Sequence, residues 1–266
     1  MINIKNNLDS KVKSDNKDNI FFHSLFNRIS FKDFTKIDTD ILFFIITRLH
    51  NKKNKVIKIN IDEILKSLDE KNSKFKNKKR FFANIEKFCD KLQSSFIKNY
   101  VVDGKNMDLY RITLFNISSH YENNVLSYLN VKITPEAYKY FNNIHKNFLV
   151  GFSLKEFSFI TTKSAKNLYR IIKEIECRHF KYLDLDSFVF QNLMDIQKSN
   201  SSTRSSEINK FYLFPALKEL NGLNYKGERY FKNHIGYQPI LESIKGEKNV
   251  TRKIVGYKFF FENEKQ

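Results

Sequence analysis

A cluster of short polar and cationic side chains opens an amphipathic stretch in the last third of the sequence. The cluster comprises Arg204, Ser205, Ser206, Asn209 and Lys210. An arginine guanidinium donates two parallel hydrogen bonds to guanine O6 and N7, an asparagine amide pairs similarly with adenine, and a serine hydroxyl suits phosphates or either base. Together these residue types offer hydrogen bonds to the base edges and phosphates of a nucleic acid.

Two further groups of cations are placed where they would reach phosphates. The first stands at the start of a predicted helix whose apolar stripe runs from Phe81 to Phe96. Its members are Lys74, Lys76, Lys78, Lys79 and Arg80. Cations at a helix N-terminus oppose the helix macrodipole, and bound phosphates would offset that penalty. The second group belongs to a predicted hairpin near the C-terminus and consists of Lys245, Lys248, Arg252 and Lys253.

Each group also has a plainer explanation. Residues 199–206 would equally form a polar loop with a serine cap, residues 74–80 a solvated charged turn, and the hairpin cations the solubilising residues of an ordinary turn. The bias toward Lys, Asn, Ile and Phe, with no Trp, is also what AT-rich codons produce. The order of the surrounding elements is therefore needed to decide between these alternatives.

Length indicates the number of domains, and charge indicates the kind of partner. The chain has 266 residues and a formal net charge of +18. This length predicts two domains of about 100–150 residues each, and the 27 phenylalanines are ample for two cores. Both halves of the sequence carry more Lys and Arg than Asp and Glu, which favours a polyanion contacted by both halves.

Signatures of enzymes and of cofactor binding are missing from the sequence. The seven glycines form no GxxxxGK[ST] phosphate loop, and the six histidines form no H-x-H pair of a metal-dependent nickase. Cys89 and Cys177 lie on apolar helical faces without metal-ligand spacing, so we predict reduced, buried thiols. We predict no enzyme activity, no catalytic residue, no metal and no cofactor. No signal peptide and no apolar run of about 18 residues is found, so we expect a cytoplasmic protein without a membrane partner.

The first half of the chain predicts a mixed series of helices and strands. Asp38 and Thr39 are good caps for a helix with an apolar stripe over residues 42–49. The predicted elements that follow are a strand at 56–59, a helix at 61–68 capped by Asn60 and Glu63, the basic helix from 74, a hairpin of 97–102 and 109–115 around Asp103-Gly104, a strand at 123–133, and a short helix at 134–141.

The second half repeats the same order of elements. It predicts an amphipathic helix at 164–176, a strand at 182–185, a helix at 186–196, a helix at 202–220 and a final hairpin. Pro215 either kinks the third helix or begins a new turn, because proline lacks the N–H and clashes with the preceding turn. The order helix, strand, helix, polar or basic helix, hairpin is that of a winged helix, and it occurs twice.

We therefore predict an α+β fold of two tandem winged-helix domains, each a three-helix unit with a small antiparallel sheet or wing. The predicted divisions are a partly disordered leader at 1–34, an N-terminal winged helix at 35–142, a connector at 143–160 and a C-terminal winged helix at 161–266. Because the second helix of a helix-turn-helix contacts base edges with its N-terminal residues, the cations and polar groups lie where DNA contact is expected.

The second half resembles the C-terminal winged helix of the replication initiator (Rep) proteins of iteron-containing bacterial plasmids. Three segments in the same order carry the resemblance: AKNLYRIIKEIE (165–176), INKFYLFPALKELN (208–221) and KGEKNVTRKIVGYKFFF (245–261). The first half matches only in layout. One departure is Phe211, which stands where the family often has a basic residue, and this places a phosphate contact there in doubt.

The resemblance implies a protein that binds direct repeats (iterons) in double-stranded DNA at a plasmid origin and helps to melt adjacent AT-rich DNA. It places the main base contacts in the C-terminal unit, and dimerisation and a second groove contact in the N-terminal unit. It further implies a homodimer in equilibrium with the monomer, autorepression by the dimer, and host replication proteins as partners.

Sequence-specific duplex-DNA binding for plasmid replication initiation is thus the predicted function. A winged-helix transcriptional regulator without an origin role is the first alternative, and it should prefer an inverted repeat as a dimer. A replication nickase or nuclease is the second, and it should cleave a strand with metal. Two base-contacting helices about one turn of duplex apart would span roughly 20 base pairs.

Overall fold

The structure is a computed structural model that describes residues 19–29, 31, 33–50, 52, 55–69, 78–94, 96–103, 106–142, 144–145, 148–196, 205–245 and 250–262. The strands are β1 Asn19–His23, β2 Ile57–Asn60, β3 Phe96–Asp103, β4 Asn106–Thr113, β5 Phe115–Glu122, β6 Val125–Ile133, β7 Leu149–Ser153, β8 Tyr182–Asp186, β9 Ile235–Lys245 and β10 Val250–Phe261. The helices are α1 Lys36–Leu49, α2 Ile61–Asp69, α3 Lys78–Ser94, α4 Leu154–Phe159, α5 Lys163–Cys177, α6 Ser187–Leu193, α7 Ser205–Ile208 and α8 Phe214–Leu220. Short 3-10 helices lie at Ser24–Arg28 and Tyr138–Tyr140.

The two halves share one sheet topology, which confirms the predicted α+β fold. In the first unit the sheet order is β2-β6-β5, and in the second it is β8-β10-β9. In both units the strand after the first helix pairs antiparallel with the last strand of the closing hairpin. The repetition predicted from element order is therefore present in the strand pairing as well.

The first helix begins earlier than predicted. Thr35, not Asp38 or Thr39, is the N-cap of α1, and its hydroxyl accepts the N–H of Asp38 at 3.2 Å. The Asp38 carboxylate in turn accepts the N–H of Thr35 at 2.7 Å, which completes a capping box. Asp38 is thus the third residue of the helix and Thr35 is its cap, because each side chain accepts the backbone N–H of the other residue.

The hairpin predicted at 97–115 exists, but it is not the wing of the first unit. β3 and β4 form a separate two-stranded sheet, and the wing is the following pair β5 and β6. Asn123 and Asn124 are the turn of this second hairpin, with φ angles of 51° and 61°. A tight hairpin turn with two positive φ angles favours asparagine, so the predicted strand at 123–133 starts two residues too early.

The short helix predicted at 134–141 is also corrected. Residues 135–137 form a turn, and Tyr138–Tyr140 is a single 3-10 turn. Thr134 donates its hydroxyl to the carbonyl of Thr113 at 2.6 Å, which holds the chain against the end of β4. This hydrogen bond holds the first residue of the segment, and the residues after it form a tight turn rather than an α-helix.

The third helix of the second unit is interrupted before Pro215. A π-helical turn, Asn209–Leu213, separates α7 from α8, and Pro215 lies in the first turn of α8. Because proline cannot donate an N–H and its ring crowds the carbonyl four residues earlier, the wider π turn accommodates it. The segment thus stays helical from Ser205 to Leu220 with a π turn before Pro215, and α8 begins at Phe214, one residue before the proline.

The first residues described in the chain join the two units. β1 pairs antiparallel with β7, with Asn19 opposite Ser153 and His23 opposite Leu149. Phe22, Phe26 and Phe31 are buried here. The rings of Phe22 and Phe26 contact that of Phe43, Phe26 also contacts Phe141, and Phe31 packs against Phe26. Buried residues of both units belong to one continuous hydrophobic cluster.

Candidate nucleic-acid interface

The third helix of the second unit has clearly different inner and outer sides. Ile208, Leu213 and Leu217 are buried, and α8 packs against α5. The opposite side, which we call the outward face, consists of Ser206, Glu207, Lys210, Phe211, Phe214, Pro215 and Lys218, all exposed. Because the buried side chains fix the rotation of the segment, the outward face is the surface that this helix offers to a ligand.

Some of the predicted base contacts lie on this segment. Ser206 and Lys210 are on the outward face, and Ser205 begins α7. Asn209 is half-buried, and its Oδ1 finds no hydrogen-bond partner among the described residues. A two-bond contact with adenine therefore requires rotation of this side chain. Arg204 lies outside the described residues, so its predicted contact with guanine stays a prediction.

Sequence reasoning missed two aromatic residues of the outward face. The side chain of Phe211 is 61% exposed and that of Phe214 is 51% exposed. In a regular α-helix, the residue three or four positions after the buried Ile208 would also face the core, and that residue is Phe211 or Tyr212. The π turn adds one residue, so Leu213 occupies that inner position and Phe211 turns outward. Pro215 was the one signal in the sequence for this change of phase.

A carboxylate near the end of the third helix fixes it to the start of α5. Glu219 accepts hydrogen bonds from the hydroxyls of Thr161 at 2.8 Å and Thr162 at 2.7 Å, and from the backbone N–H groups of both residues. Thr162 is also the N-cap of α5, and its hydroxyl accepts the N–H of Ala165 at 3.2 Å. This contact sets the position of the third helix of the second unit relative to α5, the first helix of that unit.

In the first unit, the predicted apolar stripe of the third helix is confirmed. Phe81, Ile85, Phe88, Cys89 and Leu92 are buried along α3. The helix begins at Lys78, so Lys78, Lys79 and Arg80 occupy its first turn as predicted, while Lys74 and Lys76 lie outside the described residues. The first unit thus places at least three cations at the N-terminus of its third helix.

The predicted basic hairpin is the wing of the second unit. β9 and β10 pair antiparallel from Ile235–Phe261 to Lys245–Val250. Lys253 is exposed and stands opposite Glu242, Arg252 lies in β10 beside Ser243, Lys245 ends β9, and Lys248 lies outside the described residues. Gly256 allows the sheet to close, because an added Cβ would approach the carbonyl oxygen of Leu185 to 2.6 Å.

Charged groups, rather than apolar ones alone, connect the two units. Lys166 and Arg170 of α5 are buried one helical turn apart. The Lys166 ammonium lies 2.5 Å from the carboxylate of Asp40 and donates to the carbonyl of Phe157 at 2.7 Å. The Arg170 guanidinium approaches the carbonyls of Asn27 at 3.5 Å and Ile29 at 3.4 Å. We call these contacts the junction network.

Burial alters the ionisation of groups in and near this junction. Desolvation lowers the pKa of Lys166, and the adjacent Asp40 carboxylate opposes that shift. Desolvation also lowers the pKa of Arg170 to about 10. Because Lys166 contacts a carboxylate and a carbonyl at hydrogen-bond distance, the geometry favours its charged form.

The structure also locates the groups considered for other chemistry. Cys89 is buried as predicted, and burial raises the pKa of its thiol to about 12. Cys177 is only half-buried, and its thiol donates to the carbonyl of Gly151 at 3.5 Å. Within the described ranges, no three His, Cys, Asp or Glu side chains are grouped to hold a metal ion. No helix of the described residues has the length and apolar character to cross a membrane.

Comparisons with known proteins place this architecture in a family. A comparison with curated proteins found no match. The chain is similar to the solved structure of Pi initiator protein in complex with iteron DNA, with a TM-score of 0.60 and 13% identity. That similarity covers 94% of this chain and 100% of the other, and it establishes a shared fold.

The family model described as Initiator Replication protein, WH1, matches residues 19–173. The match covers more than half of the chain and lies mainly in the first half, where the sequence resemblance rested on layout alone. It also includes β1, β7 and the junction helix α5 as far as Lys173. The chain belongs to the initiator replication protein family.

Proposed function

We propose that this protein initiates plasmid replication by binding repeated sites, or iterons, in double-stranded DNA. The observation that carries the proposal is the similarity over 94% of the chain to an initiator solved with iteron DNA. Family membership and the two winged-helix units support the same function. The net charge of +18 suits a polyanionic partner.

In this proposal, the third helix of the second unit enters the major groove. Its outward face offers Lys210 and Lys218 to phosphates, and the start of the segment offers Arg204, Ser205 and Ser206 to bases and phosphates. The adjacent phosphate backbone of the DNA is contacted by the wing cations, Lys245, Lys248, Arg252 and Lys253. These contacts come from one unit, so they cover about one half of the site.

The first unit contacts the next groove with the start of α3. Lys78, Lys79 and Arg80, together with Lys74 and Lys76, neutralise phosphates there and offset the unfavourable charge at the helix N-terminus. In this proposal the junction network, which ties α5 to α1, sets the separation of the two third helices. One chain would therefore occupy an asymmetric site of roughly 20 base pairs.

The finer parts of the proposal follow from the family. The protein acts in the bacterial cytoplasm, the monomer activates the origin and helps to melt adjacent AT-rich DNA, and a homodimer represses the initiator's own promoter. Host replication proteins would be recruited to the melted origin. We propose that the protein has no enzymatic activity of its own and uses no cofactor.

The first experiment is a selection of bound duplexes from random DNA with the full chain, followed by the mass of the selected complex. We expect an asymmetric site of about 20 base pairs bound by one chain. A palindrome bound by two chains would support a transcriptional regulator instead. Recovery of no enriched sequence would contradict sequence-specific binding altogether.

Strand cleavage is tested on the same selected duplex. The protein is incubated with it in the presence of Mg²⁺ or Mn²⁺, and the products are separated on a denaturing gel. Intact strands are expected. A protein-dependent nick would replace the proposed non-enzymatic function with that of a replication nickase.

A further inference from the structure

The geometry points to direct recognition of thymine: Phe211 and Phe214 contact the C5-methyl groups of neighbouring thymines in the major groove. This inference rests on the proposed function, because it requires the third helix of the second unit to lie in that groove. It adds a base preference that the hydrogen-bonding residues Arg204 and Asn209 do not supply.

The exposure of the two rings is the first observation. Phe211 at 61% and Phe214 at 51% are the most exposed phenylalanines among the described residues, in a protein whose other described phenylalanines are mostly buried. They share the outward face with Lys210 and Lys218. Together with Pro215, the two rings form an apolar patch rimmed by polar residues, and contiguous patches of this kind are typical of interaction sites.

The orientation of the rings is set by the fold. The π turn places Leu213 in the core and so directs Phe211 outward. The ring of Phe214 packs edge-on against Tyr237 of β9, with centroids 6.1 Å apart, so the wing supports it. Both rings are therefore presented to a ligand in place, and neither has to leave the core to make contact.

The chemistry of a phenyl ring selects thymine among the bases. In the major groove, guanine, adenine and cytosine present hydrogen-bonding groups, and thymine presents a methyl group beside its O4 acceptor. A phenyl ring that covers a polar base edge leaves that edge without a hydrogen bond, which is unfavourable. Covering a methyl group removes apolar surface of both partners from water, which is favourable.

The spacing of the two rings suits adjacent base pairs. Phe211 and Phe214 are three residues apart on one face of the helix, so their side chains are neighbours. Successive base pairs rise about 3.4 Å along the duplex. Two rings on one helix face therefore meet methyl groups one or two base-pair steps apart. The expected target is a short thymine run or a TNT sequence within the bound site.

The charges around the rings favour DNA over a protein as the occupant. Lys210 and Lys218 flank the two phenylalanines and outnumber the single carboxylate of the outward face, Glu207. The Lys210 ammonium lies 5.3 Å from the centroid of the Phe211 ring. Cations around an apolar centre match a groove in which methyl groups lie between two phosphate backbones. A second copy of this chain, with its net charge of +18, would bring more cations to the same face.

The test replaces each thymine of the selected duplex in turn with deoxyuridine, which removes only the C5-methyl group. We expect the affinity of the full-length protein to fall by about fourfold at each of one or two thymines, the effect of exposing one buried methyl group. Phe211→Ala and Phe214→Ala should bind the thymine duplex more weakly and lose the difference between thymine and deoxyuridine at those positions.

Leu223→Ala is the matched control, because Leu223 is apolar and 63% exposed but lies beyond the end of α8. It should keep the full response to deoxyuridine. Equal affinity for all substituted duplexes, or an unchanged response in both phenylalanine variants, would overturn the inference while leaving sequence-specific binding intact. If no duplex is selectively bound, both the proposed function and the inference fail. Loss of self-association in Phe211→Ala with an unchanged deoxyuridine response would assign the surface to protein contact and overturn the inference.

Discussion

Lys210 is a predicted DNA contact whose side chain the structure places on the outward face. The cation is exposed and touches the ring of Phe211, so its removal leaves the core unchanged. Replacing Lys210 by alanine should weaken binding to specific and random duplexes alike and lower the slope of log affinity against log salt by about 0.9, the contribution of one phosphate contact.

The measurement is a salt titration of duplex binding for wild type and Lys210→Ala. Lys139→Ala is the control, because Lys139 is on the 3-10 turn after the first sheet and belongs to neither third helix. Its salt slope should equal that of wild type. A Lys210→Ala slope equal to wild type would remove Lys210 from the phosphate contacts.

Residue types alone predicted part of the surface but not its apolar centre. The sequence favoured Ser206 and Lys210, and the structure exposes both. The sequence treated Phe211 only as a missing cation. Its outward direction depends on the π turn, which in turn depends on Pro215 and on how α8 packs against α5. No local pattern of polarity contains that information.

At the scale of elements, the pair Lys166–Asp40 links α5 to α1 across 126 positions of sequence. Lys166→Met should lower the free energy of unfolding by about 3–5 kcal/mol, because it removes the ammonium group that contacts the buried Asp40 carboxylate. Adding Asp40→Leu should recover a large part of that loss, since an apolar pair no longer requires charge compensation. Urea denaturation of the two variants measures both effects.

The partly exposed pair Arg48–Glu63, at 3.3 Å, is the control for this comparison. Arg48→Met should cost no more than about 1 kcal/mol, because solvent screens a surface pair. Equal losses in Lys166→Met and in the double variant would show that the buried charge of Asp40 is not the source of the effect.

Glu219 is the corresponding element-scale contact within the second unit. Glu219→Ala removes the acceptor for the hydroxyls and N–H groups of Thr161 and Thr162. We expect a loss of about 1–3 kcal/mol in unfolding free energy and weaker specific DNA binding, because the third helix is less firmly held. Denaturation and duplex binding should be measured together.

Glu242→Ala is a suitable control for Glu219→Ala, because Glu242 is an exposed carboxylate on the wing. It should leave the stability close to that of wild type. Wild-type stability and DNA affinity in Glu219→Ala would mean that packing of α8 on α5 suffices to position the helix.

At the scale of the whole molecule, buried thiol and phenol groups set the alkaline limit of stability. Burial raises the pKa of Cys89 from its usual value of 9.0 to about 12, and it raises the pKa of Tyr169 and Tyr257 in the same direction. Such a group holds its proton longer in the folded than in the unfolded chain. Stability is therefore fully present below pH 9 and is lost as the pH rises toward the folded pKa.

The expected result is a fall in the free energy of unfolding above pH 9, by up to about 1.4 kcal/mol per pH unit from Cys89 alone. Cys89→Val removes this thiol and fills the same site, so its stability should fall less steeply from about pH 8 to about pH 10. Denaturation across that range tests the sign. Parallel curves for the two proteins would contradict a buried, protonated thiol.

The sequence by itself determined the local features of this protein. Apolar periodicity over α3 and α5, the cations at the start of α3, and the repeated order of helices and hairpins are properties of neighbouring residues, and they sufficed for two winged-helix units and a polyanionic partner. Side-chain spacing of 3.6 or 2 residues reports secondary structure directly, because it needs no knowledge of distant contacts.

The tertiary structure alone decided which hairpin is a wing, which side of the third helix faces outward and how the units join. The sequence allows either β4 or β6 to pair with β2, and the assembled sheet shows that β6 is the partner. The Lys166–Asp40 contact joins residues with no sequence relation. These outcomes depend on long-range pairing and packing, where many local sequences are compatible with more than one arrangement.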